Sequence, residues 1–276
     1  MIMKKFGIDI SIYQKGFDFN KAKAEGVEFA IIKCSQEDFT DPQFENHYKA
    51  AKAVSFGVGA YHYLKANTVE DAIKEAKYCI STLKGKQFEY PIYLDFEENC
   101  YTKNTKAKNG EIIKAFCDTV EKAGYWVGIY TNYNYYKNYI DGEAIAQRYT
   151  MWLAAWMKEI PVDAPMWQFG GETNLIHTNK VAGVVCDQNY CFVDFPTAIK
   201  KAGLNGFIVE KKEEKVEPIK KGDKVKVLKN LIYGTTKKFK VYYDKYDVIQ
   251  VNGKRVVIGI GRVATAAIHI DNIKKI

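Results

Sequence analysis

Residues 89–100 read Glu-Tyr-Pro-Ile-Tyr-Leu-Asp-Phe-Glu-Glu-Asn-Cys, an apolar run from Pro91 to Leu94 that carries straight into three acids, Asp95, Glu97 and Glu98. A short run rich in Ile, Tyr and Leu, entered through a proline, predicts a buried strand. Successive strand side chains point to opposite faces, so Asp95 and Glu97 share one face, with Phe96 and Glu98 turned the other way. Two carboxylates ~7 Å apart, two strand steps of ~3.3 Å, repel each other and tend to raise one pKa. One protonated carboxyl beside an ionised neighbour is the arrangement that acid-assisted cleavage of a glycosidic bond needs. Strand ends also carry solvated acids without chemical roles, so the rest of the chain has to decide.

Toward the N-terminus, three more apolar runs read as buried strands: Phe6 to Ile10, Phe29 to Cys34 and Val58 to Tyr63. Helical spacing fills the gaps, with Asp18 as a cap before Gly26, a helix over 43–55, and one from Thr68 and Asp71 to Leu83. Beyond the opening stretch come a helix from Ile112 to Ala123 and a fifth strand, Trp126 to Tyr130. Near-continuous apolar strands alternating with helices predict a parallel sheet covered by helices. After about residue 140 the rhythm changes. Runs 151–156, 166–169 and 184–187 are strand-like, but the gaps between them are too poor in apolar periodicity for full helices. The fold class is therefore α/β, an irregular (β/α) barrel with reduced helices in its second half.

In such barrels the site lies at the C-terminal ends of the strands. The polar residues at or past those ends are Asp9, Lys33, His62, Asp95 with Glu97, Thr131 with Asn132, Trp156, Gln168 and Asp187. Four strands thus deliver acids to one mouth. Tyr61, Tyr63 and Tyr130 either line a sugar-binding groove or fill the barrel. His62 is either a groove residue or a core histidine satisfied by its neighbours. Lys33 is expected to bridge one of the acids. A lysine ending a barrel strand also suits a Schiff-base lyase.

The 276 residues include 20 Tyr, and the net charge of +8 is unevenly spread. Residues 1–207 carry 24 Lys+Arg against 25 Asp+Glu, whereas 208–276 carry 17 against 8. The positive charge belongs to the C-terminal quarter and suits an anionic partner. Six cysteines, none in C-x-x-C, read as core residues and free thiols of a chain made in a reducing cytoplasm. The N-terminus runs directly into a strand, which predicts no signal peptide. No run of 18 apolar residues predicts a membrane span.

Residues 208–220 are charged, contain Pro218 and read as a linker. Beyond it, 221–276 has β texture: strands at 223–228, 239–243, 246–251, 254–260 and 267–270, with Asn252-Gly253 as a hairpin turn. A second, small all-β barrel is expected there.

Seven stretches, Gly7-Ile-Asp9-Ile-Ser11, Phe29-Ala-Ile-Ile-Lys33, Gly59-Ala-Tyr61-His62-Tyr63, Leu94-Asp95-Phe96-Glu97, Gly128-Ile-Tyr130-Thr131, Trp167-Gln168-Phe169 and Asp187-Gln-Asn189, resemble in order the landmarks of the glycoside hydrolase family 25 lysozymes, the Chalaropsis-type muramidases of bacteria and phage endolysins. The last departs from the family in having Gln188 after the aspartate, flanked by Cys186 and Cys191. Residues after 221 resemble the bacterial SH3-like domains attached to wall-lytic enzymes. The resemblance implies cleavage of the β-1,4 bond between N-acetylmuramic acid and N-acetylglucosamine in peptidoglycan, without metal or organic cofactor. Carried over, Glu97 is the general acid, Asp95 its companion carboxylate, and Asp9 and Asp187 complete the catalytic floor. Tyr61, His62, Tyr63, Tyr130, Trp156, Gln168 and Lys33 are the substrate-binding candidates. The second step is expected to use the substrate's own 2-acetamido group, with retention.

The domains are then a catalytic barrel (1–207), a linker (208–220) and an SH3-like wall-binding domain (221–276) tethering the enzyme to anionic wall polymers. Nucleic acid is disfavoured as a partner because the basic residues lack stacking motifs. A wall enzyme made in the cytoplasm reaches its substrate after release. A degenerate barrel that only binds walls, or a Lys33-dependent lyase, are the alternatives.

Overall fold

A computed structural model describes residues 4–208 and 218–276. The chain separates into two compact units, residues 1–210 and 211–276. Most of the expected linker, 209–217, lies outside the described residues.

The first unit is a ring of eight strands: β1 (Lys5–Ile10), β2 (Phe29–Gln36), β3 (Gly57–Tyr63), β4 (Ile92–Asp95), β5 (Val127–Asn132), β6 (Thr150–Ala154), β7 (Met166–Gly170) and β8 (Asp187–Cys191). Strands β1 to β7 pair in parallel, each with the next. β8 closes the ring and runs antiparallel to both β7 and β1. Helices α1 (Phe19–Ala24), α2 (Phe44–Ala53), α3 (Val69–Leu83) and α4 (Lys106–Lys122) cover the first half. The starts of α1, α3 and α4 follow from side-chain caps, with Asp18, Thr68 and Thr105 accepting backbone N–H groups of the first turn. The second half has only the short α5 (Tyr133–Asn138), α6 (Gly142–Arg148) and α7 (Phe195–Ala202) among the described residues. None of the described helices is long and apolar enough to cross a membrane.

Strand alternation sorts the barrel into two cores. Ile8, Ala30, Ile32, Val58, Ala60, Ile92, Leu94, Ile129, Leu153 and Phe169 face the helices. Phe29, Ile31, Tyr93, Tyr130, Trp152 and Met166 fill the interior. Inside, Trp152 meets Tyr93 at 5.0 Å and Tyr130 at 4.6 Å, both edge-on. Gly128 makes room for this aromatic plug, because a Cβ there would sit 2.5 Å from the Tyr93 ring. The plug blocks the barrel axis and leaves a shallow mouth at the C-terminal ends of β1 to β7.

Two details differ from the sequence reading. The run 184–187 is not one strand. Val184 and Val185 pair in a small hairpin with Lys180 and Val181, and Asp187 begins β8 instead of ending a strand. Because β8 is reversed, its first residue still lies at the mouth, opposite Asp9. In addition, α4 starts six residues earlier than the apolar spacing predicts, since its first turns are lysine-rich and solvent-facing.

The second unit is an antiparallel five-stranded sheet of β9 (Lys224–Val227), β10 (Tyr246–Asn252), β11 (Arg255–Ile260), β12 (Val263–His269) and β13 (Ile273–Lys275), in the order β12-β11-β10-β9-β13. Val225, Tyr246, Val248, Val256, Ile258 and Ile268 form its core. The expected strand at 239–243 is irregular instead. The buried Tyr246 hydroxyl accepts the N–H groups of Tyr242 and Tyr243, at 2.9 and 3.3 Å, and pulls that segment out of strand pairing. β13 was not anticipated, its Ile-Lys-Lys sequence being too polar to read as a strand.

Candidate functional site

The mouth is built by register. Asp9 lies opposite Asp187, Tyr63 opposite Asp95, Asp95 opposite Tyr130, and Ala154 opposite Gln168. Glu97 follows two residues beyond the end of β4. Asp9, Asp95 and Gln168 are buried, at 8%, 5% and 2% exposure, which makes the acids a desolvated cluster and not a solvated rim.

Gln168 organises one side. Its Nε2 donates to Asp9 Oδ2 at 3.0 Å, while its Oε1 accepts the Tyr130 hydroxyl at 3.1 Å and the Trp156 indole N–H at 3.2 Å. Asn189 donates to the same Asp9 oxygen at 2.7 Å and accepts the Trp152 indole N–H at 2.7 Å. Asp9 is thus locked by two amide donors. Asp95 is not: its buried Oδ1 has no hydrogen-bond partner among the described residues. Gly171, just past β7, lies flat against Asp187 and Trp156. A Cβ there would overlap Asp187 Oδ1 and press on the Trp156 ring at 2.8 Å.

Burial dominates the electrostatics. It raises Asp9 to about 6, against the pull of the Asn189 and Gln168 hydrogen bonds and with a push from Glu97. Burial, then Asp9 and Glu172, raise Asp187 to about 8. Burial and Glu97 hold Asp95 well above the carboxylate range, opposed by Lys33. Glu97 is raised by burial, then by Asp187 and Glu98, and lowered by Lys33. The spacing in sequence predicts one protonated carboxyl in the pair. Instead all four acids are drawn toward protonation, because the strand ends are dry as well as crowded.

The structure brings Tyr61, Tyr63, Tyr130, Trp156, Gln168 and Lys33 to this end of the barrel, on the interior-facing positions of their strands or just beyond them. Trp156 is 40% exposed and rims the mouth, whereas Trp152 is fully interior. Lys33 does not bridge an acid. Its ammonium donates to Gln36 Oε1 at 2.9 Å and lies over the Tyr63 ring. His62 is not a groove residue. It occupies a helix-facing position of β3 and is fully buried, with Nε2 2.8 Å from Glu75 Oε2 and Nδ1 2.8 Å from Ser35 Oγ. A carboxylate only accepts, so Nε2 carries the proton and Nδ1 accepts from Ser35. Alternation with Val58 and Ala60 was the available signal. Glu98, expected to be a bystander, is instead held in place: the Tyr63 hydroxyl donates to it at 2.8 Å and Lys65 pairs with it.

Asn189 and Gly171 were missed as site residues. Asn189 was detectable, since it stands two residues from Asp187 and so shares its face. Gln188, the departure after Asp187, faces outward and donates to Thr178 O at 2.7 Å, so it does not enter the mouth. All six cysteines are unpaired. Among the described residues no three His, Cys, Asp or Glu side chains are grouped as a metal site requires.

Comparison with known proteins agrees with this architecture. The family profile described as Glycosyl hydrolases family 25 matches residues 8–176. The autolytic lysozyme of Clostridium acetobutylicum is 30% identical over 149 residues, covering 54% of this chain and 44% of that protein. The chain therefore spans less than half the length of that relative. A bacterial lysozyme from Streptomyces coelicolor superposes with a TM-score of 0.62 at 22% identity, over 72% of this chain and 96% of that one. The modular autolysin LytC from Streptococcus pneumoniae, in complex with a synthetic peptidoglycan ligand, superposes with a TM-score of 0.59 at 22% identity, over 68% of this chain and 46% of that one.

Proposed function

Because the chain belongs to glycosyl hydrolases family 25, we propose that its barrel is a lysozyme, a muramidase that hydrolyses the β-1,4 bond between N-acetylmuramic acid and N-acetylglucosamine in peptidoglycan. The observation that carries this reading is the convergence of Asp9, Asp95, Glu97 and Asp187 on one desolvated mouth, above an aromatic floor. Glycosidic cleavage passes through a cationic, oxocarbenium-like state. A dry cluster of acids short of counter-charge stabilises that cation far more than it stabilises a neutral sugar.

Glu97, kept protonated by its surroundings, gives its proton to the leaving glycosidic oxygen. As the C–O bond breaks, the 2-acetamido oxygen attacks the anomeric carbon and forms a cyclic oxazolinium. Asp95 takes part as the carboxylate, its proton having gone to solvent before the step, with Lys33 opposing the burial that disfavours its charge. Its unpartnered Oδ1 then accepts the acetamido N–H and orients the group. Water opens the ring with Glu97, now a carboxylate, taking its proton, and the configuration is retained. Asp9, locked by Asn189 and Gln168, supplies negative potential beneath the ring, and Asp187, drawn toward its protonated form, adds a polar group beside it.

The second unit, residues 221–276 after a linker over 208–220, acts in this reading as an SH3-like tether to anionic wall polymers. It presents Tyr242 and Tyr243, 66% and 55% exposed, beside Lys240, whose ammonium lies over the Tyr242 ring. A weak binder joined to a catalytic unit raises the local substrate concentration. The enzyme acts at the bacterial cell wall.

Mass spectrometry of digested peptidoglycan is the direct test. New reducing ends on muramic acid are expected, and new ends on glucosamine would replace the muramidase by a glucosaminidase. Glu97→Gln should lower the rate by about 10²- to 10⁴-fold with an unchanged far-ultraviolet spectrum. Unchanged lysis by that variant would remove Glu97 as the general acid, whereas a parent chain that binds walls without releasing reducing ends would leave the barrel as a wall-binding protein. For the tether, Tyr242→Ser/Tyr243→Ser in the full chain should reduce retention on purified walls at low salt, and equal retention would remove the idea.

A further inference from the structure

The turn that carries Glu97 is held on both sides of it. Before it, Phe96 donates its N–H to Tyr130 O at 2.9 Å, and its carbonyl accepts the Thr131 hydroxyl at 2.8 Å. The Phe96 ring stacks on Tyr101 at 3.8 Å. After it, Glu98 is gripped at three points. The Tyr63 hydroxyl donates to Oε1 at 2.8 Å, the Lys65 ammonium bonds the same oxygen, and the Tyr135 hydroxyl donates to the carbonyl at 3.1 Å. The side chain between them, Glu97, makes no hydrogen bond with the described protein, so its aim depends on the backbone of its neighbours.

Resting on the glycosidase reading of this mouth, we infer that Glu98 is a positioning residue: the clamp of Tyr63, Lys65 and Tyr135 on Glu98 fixes the backbone that aims Glu97 at the leaving oxygen. A clamp on residue 98 orients residue 97 because adjacent residues share a rigid peptide plane.

The charges around Glu97 come from several elements. Asp9 faces it from β1, Lys33 from β2, Asp95 from β4, Tyr130 from β5 and Asp187 from β8. Tyr63 and Lys65 stand at the end of β3, and Tyr135 on α5. Burial works against the charge on Glu98, but the hydrogen bonds from Lys65 and Tyr63 and the Lys65 charge outweigh it and hold Glu98 ionised. That charge is one of the causes that push Glu97 up, after burial and Asp187. Glu98 and Lys65 are therefore opposed controls on the same proton. Glu98→Gln removes the anion and strands a cation beside it, so Glu97 should release its proton at lower pH. Lys65→Met leaves the anion uncompensated, so Glu97 should hold its proton to higher pH. A merely structural clamp would loosen in both variants and move the proton in neither.

The test uses the full chain and two readouts. The Glu97 carboxyl is titrated by 13C NMR, with its signal assigned by its loss in Glu97→Gln. The pH profile of kcat is followed by release of reducing ends from solubilised peptidoglycan. The expected result is a lower Glu97 midpoint in Glu98→Gln, a higher one in Lys65→Met, and matching movements of the basic limb of kcat. In Glu98→Gln, kcat at the optimum should fall about tenfold or more with KM near the parent value. Midpoints that stay still, or move the same way in both variants, overturn the inference. If the parent releases no reducing ends, the hydrolase reading fails by itself, and the two NMR midpoints still decide the role of Glu98.

Discussion

Asp9 and Asp187 are register partners across an antiparallel strand pair, two acids placed face to face at the point where the barrel closes. Like charges directly opposite destabilise a sheet. The position is held because Asn189 and Gln168 donate to Asp9, while Asp187 is pushed toward its protonated form. The closure of the fold and the negative potential of the mouth are thus one feature.

That pairing predicts how stability depends on pH. Asp9 and Asp187 are raised from 3.8 to about 6 and about 8 in the folded chain. Between the unfolded and folded values the native state binds more protons, so stability falls as pH rises. The contribution should be fully present near pH 4 and lost progressively through pH 8. Urea titrations at pH 5 and pH 8 should show the lower midpoint at pH 8. Asp187→Asn should flatten that difference and stabilise the chain at pH 8 by about 1–2 kcal/mol, a figure discounted for the partial exposure of the group. An unaltered pH slope in that variant would show that the acids are not in fact in charge conflict.

Gly171→Ala should damage the site more than the fold. Its Cβ would collide with Asp187 Oδ1 and the Trp156 ring, which have to move aside. Overpacking at the rim should cost about 1–3 kcal/mol, whereas displacing Asp187 should lower turnover about tenfold to a hundredfold. Parallel denaturation and reducing-end assays separate the two, and parent-like turnover would place Asp187 outside the chemistry.

His62→Leu should do the reverse. The substitution strands Glu75 and Ser35 under α3 without their partner. A loss of about 3 kcal/mol is expected, since the buried Glu75 carboxylate keeps only the Lys65 backbone N–H and Ser35 loses its imidazole acceptor. Turnover per folded molecule should stay near the parent value. A selective loss of turnover without destabilisation would return His62 to the site.

Lys33→Met addresses the remaining enzyme class. Burial lowers the Lys33 ammonium, opposed by Asp95 and Asp41, and a lowered lysine at a strand end is also what Schiff-base chemistry uses. Its contacts with Gln36 and Tyr63 instead suit an electrostatic role. Borohydride treatment with substrate should leave the mass of the chain unchanged, and Lys33→Met should retain measurable hydrolysis. A trapped adduct would make the chain a lyase.

Much of the barrel is readable in the linear pattern because its first seven strands are covered on both sides. Phe29-Ala-Ile-Ile and Ile92-Tyr-Leu announce themselves without reference to any neighbour. The acids follow from the same pattern, since Asp9 and Asp95 each interrupt an apolar run where it reaches the mouth. The eighth strand escapes it. Asp187-Gln-Asn-Tyr-Cys is mostly polar, and it is buried only because ring closure surrounds it. Its small-residue hairpin at 180–185 looks more like a strand than it is.

Within the site, the sequence marks Asp95 and Glu97 as a pair of acids two residues apart at a strand end, and in the fold burial and Glu97 together raise Asp95. Burial, direction and partnership are different in kind. That β8 runs backwards and so delivers Asp187 from its first residue, that His62 is claimed by Glu75, that Glu98 is clamped by Tyr63, Lys65 and Tyr135, and that desolvation raises all four acids together depend on segments distant in the chain. Those facts come into being only when the ring closes, because the energy of a buried charge is set by everything packed around it and not by the residues beside it in sequence.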